Sequence, residues 1–260
     1  MTEAFRVRRV TETGSTNADV LAAAVAGEPE GLVVVAATQT AGRGRQGRSW
    51  QSPPGGGLWF SVLLRPGEGS PAVPIARFGW LPLLAGVALT RTVREVAGVD
   101  ATLKWPNDLL VKDAKCAGIL AEATGSGAVA LGIGLNTTLT AQQLPPVAPI
   151  GLAATSLALA GASEVDNDRL LAALLERLWS GYTGWREAGG DPEASGLRQA
   201  YLEICGTIGR EVRAILPGGA DISGLATTVD NDGRLIVGDR PVAAGDVLHL
   251  RPMAGLDSGD

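Results

Sequence analysis

Between residues 102 and 136 four short β-rich runs follow one another with only turns between them: TLKW, DLLVK, CAGILAE and AVALGIGLN. Runs so closely spaced read as strands of one sheet, and a hairpin among them would bring Lys104 and Lys115 into the same region. Upstream, FRVRRV at 5–10, GLVVVAA at 31–37 and LWFSVLL at 58–64 also read as strands. Between the first two, Ser15 can cap a helix that runs through ADVLAAAVA and stops at Gly27, with Asp19 suited to the positive end of the dipole. Pro74 to Ala97 reads as one long buried helix, and Asp166 to Glu187 as an amphipathic one. Alternating β and helical signals imply an α/β or α+β core round a mixed sheet. After Gly206 the texture changes. EVRAIL, ISGLATTV, RLIVG, RPVA and DVLHL are short runs parted by PGG, DNDG, GD and AAGD, the rhythm of a small β-barrel. The Pro-rich QQLPPVAPIG at 142–151 reads as a connection, and the tail MAGLDSGD is expected to fray.

At 260 residues and 45% hydrophobic, the chain can bury one substantial core and carry a small second domain. Its formal charge of -5 argues against a general nucleic-acid binder, so any polyanion must be met locally. An RNA-binding role for an Arg-Gly segment would also need more interleaved aromatics than 4% supplies. No long apolar run and no secretory leader are seen, so a cytoplasmic protein without membrane contact is expected. Cys116, Cys205 and the single His249 make no metal-ligand spacing, and protein-ligated zinc is not expected.

Three segments carry chemistry. Residues 42–48 read Gly-Arg-Gly-Arg-Gln-Gly-Arg, inside an acid-free stretch between Glu30 and Glu68. Glycines let backbone close round a ligand, and arginines offer forked donors to carboxylate and phosphate, so this is read as an anion-binding loop within a long loop from Thr38 to Gly57. Its G-x-G-x-x-G pattern is no dinucleotide fingerprint, because SWQSPPGGG cannot be the helix that must follow. The second segment is Lys104-Trp105-Pro106-Asn107-Asp108, with Lys115 seven residues on. The chain has only three lysines, Lys104, Lys112 and Lys115, and a chain that otherwise uses Arg keeps Lys here, where a compact ammonium does what a guanidinium cannot. Lys112, beside Asp113, reads as a solvated turn residue. The third is Leu131 to Asn136, a strand with two glycines of the kind that marks close approach of a ligand, ending on an amide.

With Thr13-Gly14-Ser15-Thr16-Asn17 ahead of them, the runs GSTN, QTAGRGRQGRSW, KWPNDLL, KCAGIL and GIGLN closely resemble the biotin protein ligases in order and spacing, over about residues 10 to 137. The resemblance implies an α+β fold: a catalytic core like that of class II aminoacyl-tRNA synthetases at 1–205, then a small SH3-like barrel at 206–260. It implies that biotin and ATP, with magnesium, give biotinyl-adenylate and pyrophosphate, and that a lysine of a biotin carboxyl carrier domain of an acyl-CoA or pyruvate carboxylase then takes the acyl group. Ser15, Thr16, Asn17 and Gln39 resemble residues that bond the ureido ring; Gly42, Arg43, Gly44 and Arg45 match the mobile loop over biotin and the adenylate phosphate. Lys115 matches the lysine between carboxylate and α-phosphate, and Gly118 lets the ligand lie against backbone. Arg48, Trp50, Lys104, Asn107, Asp108 and Asn136 match nucleotide-side positions, with Trp50 expected to stack on adenine. Arg43, Arg45 and Lys115 are the implied catalytic groups. Position 46 is Gln where a basic residue is common, and Cys116 stands where Leu is usual. The core starts near residue 1, so no DNA binding is expected; the chain could be a monomer or a homodimer. A lipoate ligase is the nearest alternative, and GRGRQGR with KWPND argues for biotin.

Overall fold

A computed structural model describes residues 4–147, 152–216, 218–243 and 245–250. The Pro-rich connection lies partly, and the tail MAGLDSGD wholly, outside them. The first sheet is mixed, as expected. β1 (Arg6–Thr13) runs parallel to β2 (Leu32–Gln39), joined by α1 (Thr16–Val25). β3 (Gly57–Leu64), β4 (Thr102–Lys104), β5 (Asp108–Val111), β6 (Ala114–Ala123) and β7 (Val129–Asn136) then pair antiparallel in the order β1-β2-β3-β7-β6-β5-β4. The close spacing of the last four strands is what makes a hairpin chain possible, since parallel neighbours need long crossovers.

Strand alternation sorts the side chains onto two faces. Phe60, Val62, Leu131, Ile133, Ala117 and Ile119 face one way and join the main core with α2 (Trp80–Val96) and α3 (Asn167–Glu187). Leu32, Val34, Leu63 and Ala130 face the other way, against Val20 and Ala24 of α1. Beyond α1 that second face is open, and there Gly118, Gly132 and Gly134 replace side chains.

The sequence places one helix from Pro74 to Ala97, but the structure has a 3-10 turn at Ile75–Gly79 and an α-helix only from Trp80. The start fits Pro82, which has no N–H to give the Phe78 carbonyl and so belongs in the first turn of a helix; at the junction a Cβ on Gly79 would stand 2.3 Å from the carbonyl oxygen of Asp232, where a turn of the second sheet docks. A short helix, α4 (Leu197–Leu202), has no counterpart in the sequence reading. The second sheet holds β8 (Glu211–Ile215), β9 (Asp221–Val229), β10 (Leu235–Val237), β11 (Arg240–Val242) and β12 (Asp246–His249), all antiparallel, in the order β11-β10-β9-β8-β12. Its turn at 230–233 is anchored on the first unit. Trp80 Nε1 donates to Asn231 O at 3.0 Å and Trp105 Nε1 to Gly233 O at 3.1 Å, so two buried indoles satisfy their donors on the partner sheet.

Candidate functional site

The open face of the first sheet and one side of the second enclose a cleft of about 1170 Å³. Of the residues singled out from sequence, Ser15, Thr16, Asn17, Gln39, Arg43, Gly44, Arg45, Arg48, Trp50, Lys104, Asn107, Asp108, Lys115, Gly118 and Asn136 line it. Gly42 does not. Its carbonyl accepts from Trp50 N at 2.8 Å, and a Cβ there would stand 2.5 Å from Trp50 O, so its place is at the crossing where the loop closes on itself.

One end of the cleft is lined by neutral polar side chains in a dense hydrogen-bond network, with the Glu122 carboxylate behind them. Ser15 begins α1, yet its side chain makes no capping bond, contrary to the sequence reading. Gln39, at the end of β2, accepts from Thr16 N at 2.9 Å and donates from Nε2 to Ser52 Oγ at 2.9 Å. The Thr16 and Ser61 hydroxyls lie 2.7 Å apart, Ser61 donates to Asn17 Oδ1 at 2.6 Å, and Asn17 Nδ2 donates to Glu122 at 2.7 Å. All three of Ser15, Thr16 and Asn17 are buried. Asn17 fits there because Gly132 has no side chain: a Cβ would lie 2.2 Å from Asn17 Oδ1. Sequence reasoning missed Ser61, Ser52 and Glu122. Glu122 carried a readable signal, since it continues the alternation Gly118, Leu120, Glu122 along β6.

The middle of the cleft floor is bare backbone. Gly118 and Gly134 pair across β6 and β7, and the Trp50 ring rests on them, with ring atoms 3.0 and 2.6 Å from where their Cβ atoms would be. Its Nε1 is buried with no hydrogen-bond partner, and the ring meets Trp59 edge-on at 6.2 Å.

The far end is cationic. Lys115 Nζ lies 2.7 Å from Asp108 Oδ1, off the line of a directed hydrogen bond, and 5.5 Å from the centre of the Trp50 ring. Burial pulls the Lys104 ammonium below its usual range; Asp108 works against this and the Lys115 charge adds to it. Arg45 is likewise shifted down by burial, opposed by Asp108 and Asp246. Arg45 donates to Asn107 Oδ1 at 3.1 Å, and Asn107 Nδ2 in turn donates to Ile119 O at 2.9 Å, so Asn107 links loop to sheet. Asn136 is held by Thr155 O at 2.9 Å. The loop contains a tight turn at Arg45–Gly47, with Gln46 left-handed at φ 56°, which rules out the helix a dinucleotide fingerprint needs.

The second sheet also reaches this end. Arg48 pairs with Asp246 at 2.8 Å, and Arg45 Nη2 lies 3.4 Å from Gly245 O. Neither partner was readable from sequence, because about 200 positions separate each from its arginine. His249 sits beside them, 3.0 Å from Thr207 Oγ1, with its pKa lowered to about 4 by burial first and then by Lys104 and Arg210. Among the described residues no group of three or more His, Cys, Asp or Glu could hold a metal ion.

The arrangement can seat a ligand that is polar but neutral at one end and anionic at the other, lying on glycine backbone between them. Residues 7–136 match the model of the Biotin/lipoate A/B protein ligase family, and residues 207–250 that of the Biotin protein ligase C terminal domain. The chain is 42% identical over 250 residues to the biotin--[acetyl-CoA-carboxylase] ligase of Mycobacterium tuberculosis, covering 93% of this chain and 88% of that protein. It is 33% identical to the bifunctional ligase/repressor BirA of Bacillus subtilis, covering 80% of this chain and 62% of that one. The structure of biotin protein ligase from Aquifex aeolicus in complex with biotin and ATP superposes with a TM-score of 0.74 at 25% identity, covering 95% and 99% of the two chains.

Proposed function

The chain belongs to the Biotin/lipoate A/B protein ligase family, and from that premise we propose that it activates biotin with ATP and transfers the biotinyl group to a lysine of a biotin carboxyl carrier domain. The observation that carries this reading is the single cleft that joins a neutral hydrogen-bonding end at Thr16, Asn17 and Gln39 to a cationic end at Lys104, Lys115, Arg45 and Arg48. A bicyclic urea with a carboxylate tail, joined to a nucleotide, has that distribution of charge. In the first step a biotin carboxylate oxygen attacks the α-phosphorus, the bond to the bridging oxygen breaks, and pyrophosphate leaves. Attacker and target are both negative, so Lys115, Arg43 and Arg45 offset the repulsion and stabilise the charge that gathers on the α-phosphate. Lys115 reaches this place by leaving Asp108. In the second step the carrier amine attacks the acyl carbon, loses a proton, and AMP departs.

Magnesium would ride on the ATP phosphates and neutralise their charge, with Asp108 the carboxylate at hand. The glycine floor under Trp50 supports the assignment of adenine stacking to that ring, since backbone without side chains admits a ring close against it. We further assign residues 1–205 to the catalytic domain and 206–260 to a SH3-like barrel, place the enzyme in the cytoplasm, and infer no repressor activity. The last is supported by the formal charge of -5. The test is biotin-dependent exchange of pyrophosphate into ATP, run beside lipoate, followed by labelling of a carrier domain. Exchange with lipoate and none with biotin would overturn the reading.

A further inference from the structure

Glu122 does not line the cleft, yet it ends a continuous hydrogen-bond chain that begins on the cleft wall. An ionised carboxylate can only accept. Asn17 Nδ2 donates to Glu122 Oε2 at 2.7 Å and to Leu120 O at 3.3 Å, so turning the amide over would set its oxygen against two acceptors, the carboxylate the nearer, and Oδ1 must face Ser61. The Ser61 proton is then committed to Asn17 Oδ1 at 2.6 Å. The Thr16 and Ser61 oxygens, only 2.7 Å apart, need a proton between them, and Thr16 is the one group left to supply it. Gln39 Oε1, 3.2 Å from Thr16 Oγ1, therefore takes the Thr16 backbone N–H instead, and Gln39 Nε2 gives one N–H to Ser52 while the other remains. The order of protons along Glu122, Asn17, Ser61 and Thr16 thus leaves the Thr16 hydroxyl with lone pairs only, beside a Gln39 amide that can still donate.

We propose that Glu122 is a positioning residue for the acid substrate: acting through Asn17 and Ser61, it makes Thr16 an acceptor for a urea N–H. The inference rests on the biotin reading above, and it extends that reading to a residue that never touches the ligand. A cyclic urea, with N–H donors beside a carbonyl acceptor, matches an acceptor at Thr16 beside a donor at Gln39. Lacking Glu122, only the longer bond to Leu120 O at 3.3 Å holds the Asn17 amide, so it turns more readily, Ser61 and Thr16 can reverse their protons, and two donors then face the urea.

Biotin binding by calorimetry without ATP, the KM for ATP in pyrophosphate exchange, and the melting temperature separate the possibilities. Glu122→Ala is expected to weaken biotin binding about tenfold while KM for ATP stays within about twofold. Glu122→Gln is expected to bind biotin within about threefold of wild type, because its Oε1 can still take the Asn17 N–H. Ser61→Ala breaks the chain one step nearer the ligand and should show the same selective loss, which keeps the test intact if Glu122→Ala does not fold. Wild-type binding with no loss in Glu122→Ala or Ser61→Ala overturns the relay. Equal losses in Glu122→Gln and Glu122→Ala would assign the effect to the charge that lies 4.0 Å from Arg43, and overturn it too. A parallel loss of biotin binding, ATP affinity and melting temperature would make Glu122 merely structural. If wild type itself binds no biotin, the failure lies with the proposed substrate.

Discussion

Lys115 and Arg45 bring the same charge into the same cleft from opposite kinds of support. Lys115 is carried by β6, and its backbone is held on both sides: its N–H donates to Ala153 O at 2.7 Å and its carbonyl accepts from Thr155 N at 2.9 Å. Arg45 is carried by a glycine-flanked turn whose ties are a few loop hydrogen bonds and side-chain contacts to Asn107 and Gly245. A strand-borne charge meets a ligand in one place with little ordering cost, whereas a loop-borne charge must be gathered onto it. Under the proposed reaction, the strand-borne charge suits making the mixed anhydride and the loop-borne charge suits keeping it.

The sharpest way to break that division is Lys115→Arg. A guanidinium keeps the charge but spreads it and cannot put one point donor between carboxylate and α-phosphate, so pyrophosphate exchange should fall by more than about a hundredfold. Exchange within about threefold of wild type would remove Lys115 from the chemistry.

Arg45→Ala should cost exchange only about tenfold, but it should let biotinyl-adenylate escape, because a lost loop contact shortens residence more than it slows formation. The check is a blot of albumin, which has no carrier motif, incubated with the variant, biotin and ATP. Unlabelled albumin alongside measurable adenylate synthesis would show that the loop does not retain the intermediate.

A smaller effect tests how the loop is held before ligand arrives. Limited proteolysis should cut after Arg43, Arg45 or Arg48 in the free enzyme and be suppressed by saturating biotin and ATP. Asp246→Ala removes the partner of Arg48 and should raise cleavage of the free enzyme roughly threefold, in keeping with an exposed pair worth up to ~1 kcal/mol. Equal cleavage with and without ligands would mean that the loop does not order.

The smallest effect belongs to His249, whose pKa burial lowers first, with the charges of Lys104 and Arg210 adding to the shift and Asp113 opposing it. Its folded pKa of about 4 lies below the ordinary value of 6.5, so the unfolded chain binds more protons between those two values. Its contribution to stability is therefore whole above pH 6.5 and is lost as pH falls towards 4. Melting temperatures of wild type should drop more steeply across that window than those of His249→Gln; identical slopes would show that the histidine is not held neutral.

Much of this was legible in the chain itself. Hairpin spacing in 102–136 foretold the antiparallel half of the first sheet, and the paired glycines in LGIGLN, read as a mark of close approach, lie where the cleft floor has no side chains. The second sheet was legible as well, because its strands are parted by strong turn formers. The helix over 74–97 was misjudged at its start, although Pro82, which belongs in a first turn, was there to be read. Gly42, grouped with its neighbours by motif, does not line the cleft, and a Cβ there would meet the Trp50 carbonyl.

Sequence alone determined the glycines, arginines and lysines of the first unit's lining segments, because local periodicity and glycine placement depend on neighbours in the chain. Only the tertiary structure decided how those residues are held and which protons they have left to offer. Glu122 orients Asn17 across 105 positions, and Asp246 reaches Arg48 across 198. Hydrogen bonds are short-ranged and directional, so their pattern exists only once distant strands have been brought within 3 Å of one another.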